Sequence, residues 1–299
     1  MSTDIEISHE DAVVFPDADI DKAGLVHYYE QIFAKMRPFL ERYPLAMKRY
    51  PDGVGEKGFF NKHIPKGFPD WIERVRIPKK EGGDYEAPLL NSQDALCLAV
   101  NQRMVTPHLY LFHHEDLKHP DRMVFDIDPP EGIRDFSAVR QAALDIRSVL
   151  DTLDMQAWVQ TTGSSGFHVW VPLDRSNSFD EVRSFARGVA EYLVKKNPED
   201  YTPQQQLDPR GERIFLAVLR NSYGASSVAP YGVRARKGAP VATPVDWEEL
   251  EQGAEPADWH LGNILNRVAR KDDPWEDIYR HRYAIGDRHH QLNELYEDL

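Results

Sequence analysis

The stretch Met123-Val124-Phe125-Asp126-Ile127-Asp128-Pro129-Pro130 constrains this chain more than any other. Three apolar residues lead into Asp-x-Asp, and two prolines stop the run. Side chains of a strand alternate between faces, so Asp126 and Asp128 are expected to project from one side at the strand's end. Two carboxylates held that close repel each other and raise one pKa unless a cation lies between them. A hard divalent ion with oxygen ligands, magnesium or manganese, suits the pair and usually serves phosphates. The competing reading is structural, because Asp-Pro also ends a strand by making a good turn. On these residues alone both readings stand.

A chain of 299 residues is expected to form one large domain or two intimate ones. No stretch of about 18 consecutive apolar residues occurs, so no membrane span is expected. The terminus Met1-Ser2-Thr3-Asp4 is acidic and unlike a secretory signal. The single cysteine, Cys97, lies in an apolar pattern and reads as a buried structural thiol, which fits a reducing cytoplasm. A net charge of −13 argues against a non-specific nucleic-acid coat protein. An enzyme of nucleic acid needs only a local basic surface, however. Bases cluster at Lys48-Arg49, from Lys57 to Lys66, from Arg74 to Lys80 and from Arg234 to Lys237.

Taken in order, residues 1–20 read as an acidic arm lying on the body. Asp21 is an expected N-cap of a helix to about Arg42, broken or kinked at Pro38. Lys22 in its first turn opposes the helix dipole unless an anion sits there; the alternative is a solvated lysine. Residues 45–50 read as a strand, followed by a turn and then Phe59-Phe60. Adjacent strand residues face opposite ways, so one aromatic is left to stack on a base, unless both fill a core under a loop. Ser92 caps a helix. His113, His114, Glu115, Asp116 and His119 crowd what reads as a solvated loop without metal-binding spacing.

Beyond the acidic strand, a helix opens at Asp135 or Ser137. Thr162-Gly163-Ser164-Ser165-Gly166 is a tight loop between strands, where backbone N–H groups can cradle a phosphate. His168 follows and could donate to the same phosphate; a packed histidine after a plain hairpin is the alternative. The apolar run Ile214 to Leu219 reads as a strand buried on both faces. Arg234 and Arg236 alternate along an extended segment, and two guanidiniums on one face suit a triphosphate. A solvated edge strand would look the same.

Together these segments resemble the polymerase domain of bacterial and archaeal DNA ligase D, in the archaeo-eukaryotic primase superfamily. The resemblance rests on Asp126-Ile127-Asp128-Pro129, Thr162 to His168, Ile214 to Asn221 and Val228 to Arg236. Tyr50 to Val54, Gly58 to Lys62 and His119-Pro120-Asp121-Arg122 add to it. It implies an α/β (α+β) primase-polymerase fold around a central RRM-like antiparallel sheet flanked by helices. One domain over 1–299 is expected: an arm at 1–20, an N-terminal subregion at 21–120, the catalytic sheet at 121–245 and a helical subregion at 246–299. It implies a nucleotidyltransferase of non-homologous end joining that fills gaps and extends DNA ends. The implied partners are DNA with a downstream 5′-phosphate, NTP or dNTP with ribonucleotides often preferred, Ku and a DNA ligase, at the nucleoid.

The resemblance also implies roles. Asp126 and Asp128 look like ligands of a two-metal site for magnesium or manganese. Thr162, Ser164, Ser165 and His168 resemble the triphosphate loop, Arg234 a triphosphate ligand, and Lys48 and His108 nucleotide-site residues. Phe59 and Phe60 resemble the aromatics that meet the template base. Lys22 resembles a lysine of the 5′-phosphate pocket, and Arg210 a loop residue near the primer end. The implied third carboxylate is missing, because Ala217 stands where an aspartate is expected. Ala217 is either a disarming substitution or a mark of a natural relative that has lost chemistry. In both cases nucleotide incorporation is expected to be poor. A non-catalytic DNA-end-binding module and a de novo primase are the other readings. No ligase or nuclease segment is apparent, so a stand-alone protein or an excised domain is expected.

Overall fold

The computed structural model describes residues 5–130, 132–204 and 211–299. The chain begins with β1 (Val13–Phe15), β2 (Ile20–Asp21), α1 (Lys22–Leu40), β3 (Leu45–Arg49), β4 (Phe59–Asn61), β5 (Glu73–Pro78) and β6 (Asp84–Leu89). Next come α2 (Gln93–Asn101), β7 (Met104–Tyr110), β8 (Phe112–His113), β9 (Asp116–Pro120), β10 (Arg122–Asp128), α3 (Ser137–Thr152), β11 (Trp158–Thr161) and β12 (Phe167–Pro172). Then follow α4 (Phe179–Lys196), β13 (Tyr201–Thr202), β14 (Ile214–Ala217), β15 (Ser226–Val228), β16 (Pro244–Val245) and three short helices, Trp247–Glu251, Ile264–Arg270 and Arg288–Glu297.

These elements form two compact units. The first takes the described residues of Met1–Leu117, Ser226–Thr243 and Trp259–Asp273. The second takes those of Lys118–Ala225, Pro244–Asp258 and Pro274–Leu299.

The first unit holds a four-stranded antiparallel sheet in the order β15-β7-β3-β4. Helix α1 forms because Leu25, Tyr28, Tyr29, Ile32 and Met36 repeat at helical spacing and are buried together. Asp21 caps it, accepting from the Gly24 amide at 2.7 Å. Pro38 falls in the last turn, and the helix ends two residues later at Leu40 rather than near Arg42. The Tyr29 hydroxyl donates to the Val105 carbonyl (2.7 Å) and accepts from the Val233 amide (2.9 Å). The Thr106 hydroxyl donates to the Val233 carbonyl at 2.6 Å. The segment leading into Arg234 is thereby tied to α1 and β7. That segment is not the extended strand expected. Only Val233 bridges, to Val241, and Arg236 lies in a bend where its amide donates to the Arg234 carbonyl. The following Gly238 and Ala239 take positive φ and turn the chain, so the two arginines do not alternate along a strand.

The second unit is built on a six-stranded sheet in the order β13-β14-β10-β12-β11-β16, antiparallel except for β13 beside β14. Helices α3 and α4 contact each other and β10. A capping box between Ser178 and Glu181 starts α4. Helix α3 buries Val139, Ala142, Ala143, Ile146, Val149 and Leu150.

The run from Ile214 is strand only to Ala217. A 3₁₀ turn, Leu219–Asn221, replaces its expected end, and Leu219 is 51% exposed. The reason is the buried Asn221 side chain. It accepts from the Val124 amide and donates to the Val124 carbonyl, each at 2.8 Å. A side chain thus takes the ladder partners that a longer β14 would use.

The His113–His119 stretch is a pair of short strands with His113 buried, rather than an open loop. Cys97, the single cysteine of the sequence, is buried. No described helix is long and apolar enough to cross a membrane.

Candidate active site

In the second unit, one row of side chains crosses three strands. Asp126 on β10 is opposite His168 on β12 and opposite Ala217 on β14. Directly opposed residues share a face, so register alone puts these three together. Asp126 is buried, with His168 Nε2 3.2 Å from Oδ1 and Arg220 Nε donating to Oδ2 at 2.8 Å. Burial pushes the Asp126 pKa up, but His168 and then Arg220 outweigh it and hold the group well below the usual carboxylate range. Asp128, two residues along the same face, is half-buried. Asp126, Asp128, Phe215, Ala217, Leu219, Arg220 and Ala225 line one pocket of about 390 Å³.

Thr162 closes the small-residue loop onto itself. Its hydroxyl donates to the Gly166 carbonyl at 2.9 Å and accepts from the Gly166 amide at 3.2 Å. Gly163 takes the positive φ this tight turn needs. Ser164 and Ser165 are left half-buried at the tip. His168 points at Asp126 through Nε2, while its Nδ1 lies 3.2 Å from the Gln160 amide nitrogen. Gln160 thus faces one ring nitrogen and Asp126 the other.

The first unit gathers a separate set. Phe60, Lys48 and Thr106 are opposed across β4, β3 and β7, and His108 lies two residues further on the same face. The Phe60 ring stands edge-on to His108 at 4.8 Å, with Lys48 Nζ 5.6 Å from the Phe60 centroid. Arg49 covers Phe59 at 5.7 Å. Neither aromatic fills a core: Phe59 is 44% and Phe60 50% exposed, because β4 is an edge strand. The Thr106 bond to Val233 brings the backbone just before Arg234 to this face.

Lys22 is no solvated lysine. It is 1% exposed and its Nζ donates to the Ser8 hydroxyl at 3.0 Å. Ser8 is held in turn by Asn101, whose side chain also donates to the Glu6 carbonyl. Burial, and then Arg103, push the ammonium pKa down. Arg210 lies outside the described residues.

Two carboxylates at alternate positions facing one pocket fit one hard divalent ion. They do not complete a pair of ions, because Ala217 offers no donor. No group of three or more His, Cys, Asp or Glu arranged to hold an ion occurs among the described residues. Sequence reasoning assigned no role to Arg220 or Asn221. The available signal was a polar pair ending a wholly apolar run.

Known proteins resemble this chain over most of its length. A family model described as "LigD, primase-polymerase domain" matches residues 21–275. The chain is 32% identical over 283 residues to the multifunctional non-homologous end joining protein LigD of Pseudomonas aeruginosa, covering 94% of this chain and 34% of that protein. It is 30% identical to the LigD of Mycolicibacterium smegmatis, over 90% of this chain and 35% of that one. The chain thus spans about a third of the length of these relatives. The solved polymerase domain from Mycobacterium tuberculosis ligase D in complex with DNA superposes with a TM-score of 0.85. That match is at 25% identity and covers 94% of this chain and 100% of that one. Its mixed helix and antiparallel-sheet architecture is the one found here. This chain therefore belongs to the LigD primase-polymerase domain family.

Proposed function

We propose that this chain is a nucleotidyltransferase module that fills gaps and extends DNA ends in non-homologous end joining, and that Ala217 leaves it catalytically impaired. The supporting observation is the Asp126–Asp128 pair at the end of β10, with Ala217 opposite Asp126 on β14. The relatives' names speak for end joining, and the solved neighbour's complex for DNA. Gapped DNA with a 5′-phosphate, NTP in preference to dNTP, Ku and a separate or linked ligase are the proposed partners.

A magnesium or manganese ion on Asp126 and Asp128 would supply charge neutralisation for phosphoryl transfer. The chain's own residues do the positioning. His168 donates to Asp126 and fixes its orientation. Ser164 and Ser165, on the loop closed by Thr162, are assigned to the triphosphate; Lys48, His108 and Arg234 are assigned to nucleotide binding. Phe59 and Phe60 offer exposed π faces to the template base. Arg210 is assigned to the primer end and Lys22 to the downstream 5′-phosphate.

Primer extension on gapped, 5′-phosphorylated DNA with the wild type and Ala217→Asp tests the reading. Ala217→Asp is expected to extend at least about 10²-fold faster, the scale of restoring one transition-state charge contact. Equal rates would sink the impairment. A second reading is favoured by Ala217 together with the occupation of both Asp126 oxygens by Arg220 and His168: a DNA-end-binding module without chemistry. It predicts that Ala217→Asp stays inert while still binding DNA. The phosphate role is checked separately. Lys22→Met should bind gapped DNA equally with and without the 5′-phosphate, whereas the wild type should discriminate.

A further inference from the structure

Arg220 is a charged group in the pocket that the chemistry above leaves without a task. The turn Leu219–Asn221 returns it to the pocket that Ala217 lines. Asn221 anchors that turn through its two bonds to Val124, so the Arg220 backbone is fixed. Its side chain is 45% exposed. The guanidinium nevertheless lies on Asp126 Oδ2 at 2.8 Å, while His168 holds Oδ1. Each oxygen of this buried carboxylate already faces one donor. A divalent ion bound between Asp126 and Asp128 would lie beside the guanidinium on Oδ2, and two cations held that close repel.

We propose that Arg220 is the resident counter-cation of Asp126, and that a divalent ion binds the Asp126–Asp128 pair only by displacing it. Arg220 is thus a residue that sets metal affinity. The inference rests on the reading of Asp126 and Asp128 as metal ligands. It also gives Ala217 a second consequence: with no third carboxylate at that corner, the ion gains nothing there against Arg220.

Titration of the full chain with Mn²⁺, followed by the electron paramagnetic resonance signal of the free ion, tests this. The proteins compared are the wild type, Arg220→Gln, Arg220→Lys and Asp128→Asn. Arg220→Gln is expected to bind Mn²⁺ about tenfold more tightly, because one charge-assisted hydrogen bond no longer has to be broken. Arg220→Lys, which keeps the charge, should stay near the wild type, and Asp128→Asn should bind more weakly. Thermal unfolding gives an independent readout: Mn²⁺ should raise the Tm of Arg220→Gln more than that of the wild type. Equal affinities for wild type and Arg220→Gln, with Asp128→Asn still weaker, overturn the displacement but leave the metal-ligand reading standing. Absence of Asp128-dependent Mn²⁺ binding in every protein overturns both.

Discussion

A methyl group placed on Gly166 would strike the backbone of β10 between the two carboxylates. Its Cβ would lie 2.0 Å from the Ile127 carbonyl oxygen and 3.2 Å from the carbonyl carbon. Real Cβ contacts essentially never fall below 3.0 Å, so the strands must part by roughly 1 Å. The atom struck belongs to the main chain, so no side chain can rotate aside. Gly166 itself is bound at both its amide and its carbonyl by Thr162, which leaves the loop little room to yield. Its requirement is one of space rather than of backbone angle. Gly166→Ala should therefore cost about 1–3 kcal/mol, the range for overpacking. At roughly 2–4 °C per kcal/mol for a large domain, Tm should fall by several degrees. Because Ile127 separates Asp126 from Asp128, a displacement of about 1 Å should also slow catalysis by about 10²-fold. The assay is thermal unfolding of Gly166→Ala, with primer extension in the Ala217→Asp background, where a rate can be measured. A Tm within a degree of the parent and an unchanged rate would show that this close approach positions nothing.

Three further outcomes are expected. The folded-state pKa of Asp126 is held below its unfolded value, so its ionisation contributes stability above the ordinary carboxylate range near pH ~4, lost as pH falls below it. Urea unfolding at a series of pH values should show a shallower acid decline in Asp126→Asn, and identical acid slopes would refute the assignment. Asn221→Ala strands the Val124 amide and carbonyl in a buried site and should cost about 2–4 kcal/mol, read from denaturant midpoints. Phe60→Ala, on an exposed edge strand, should change stability by less than about 0.5 kcal/mol. It should weaken binding to gapped DNA by about 1–3 kcal/mol, measured by fluorescence anisotropy; unaltered binding would remove Phe60 from the interface.

Much of the local structure was legible in the sequence. The period of two in Met123–Asp128 put both carboxylates on one face before any neighbour was known, and the structure keeps them there. The Asp21 and Ser92 caps are equally local. These are properties of a few consecutive residues, and local sterics and hydrogen bonding set them. The failures have one cause in common. Strand alternation leaves one of Phe59 and Phe60 exposed, but both are, because β4 is the outermost strand of its sheet, which no window of residues reveals. Helix position leaves a solvated Lys22 open, but the side chain is buried and bonded to Ser8.

The sequence by itself determined the Asp126–Asp128 face, the tight loop at Thr162–Gly166 and the absence of a carboxylate at 217. Only the tertiary structure decided what surrounds Asp126. His168 reaches it through the β10–β12 register, and Arg220, 94 residues away along the chain, through the β10–β14 register and the turn that Asn221 holds. A shift of one residue in either ladder would send the opposing side chains to the other face. The electrostatic state of that carboxylate is therefore a property of strand pairing.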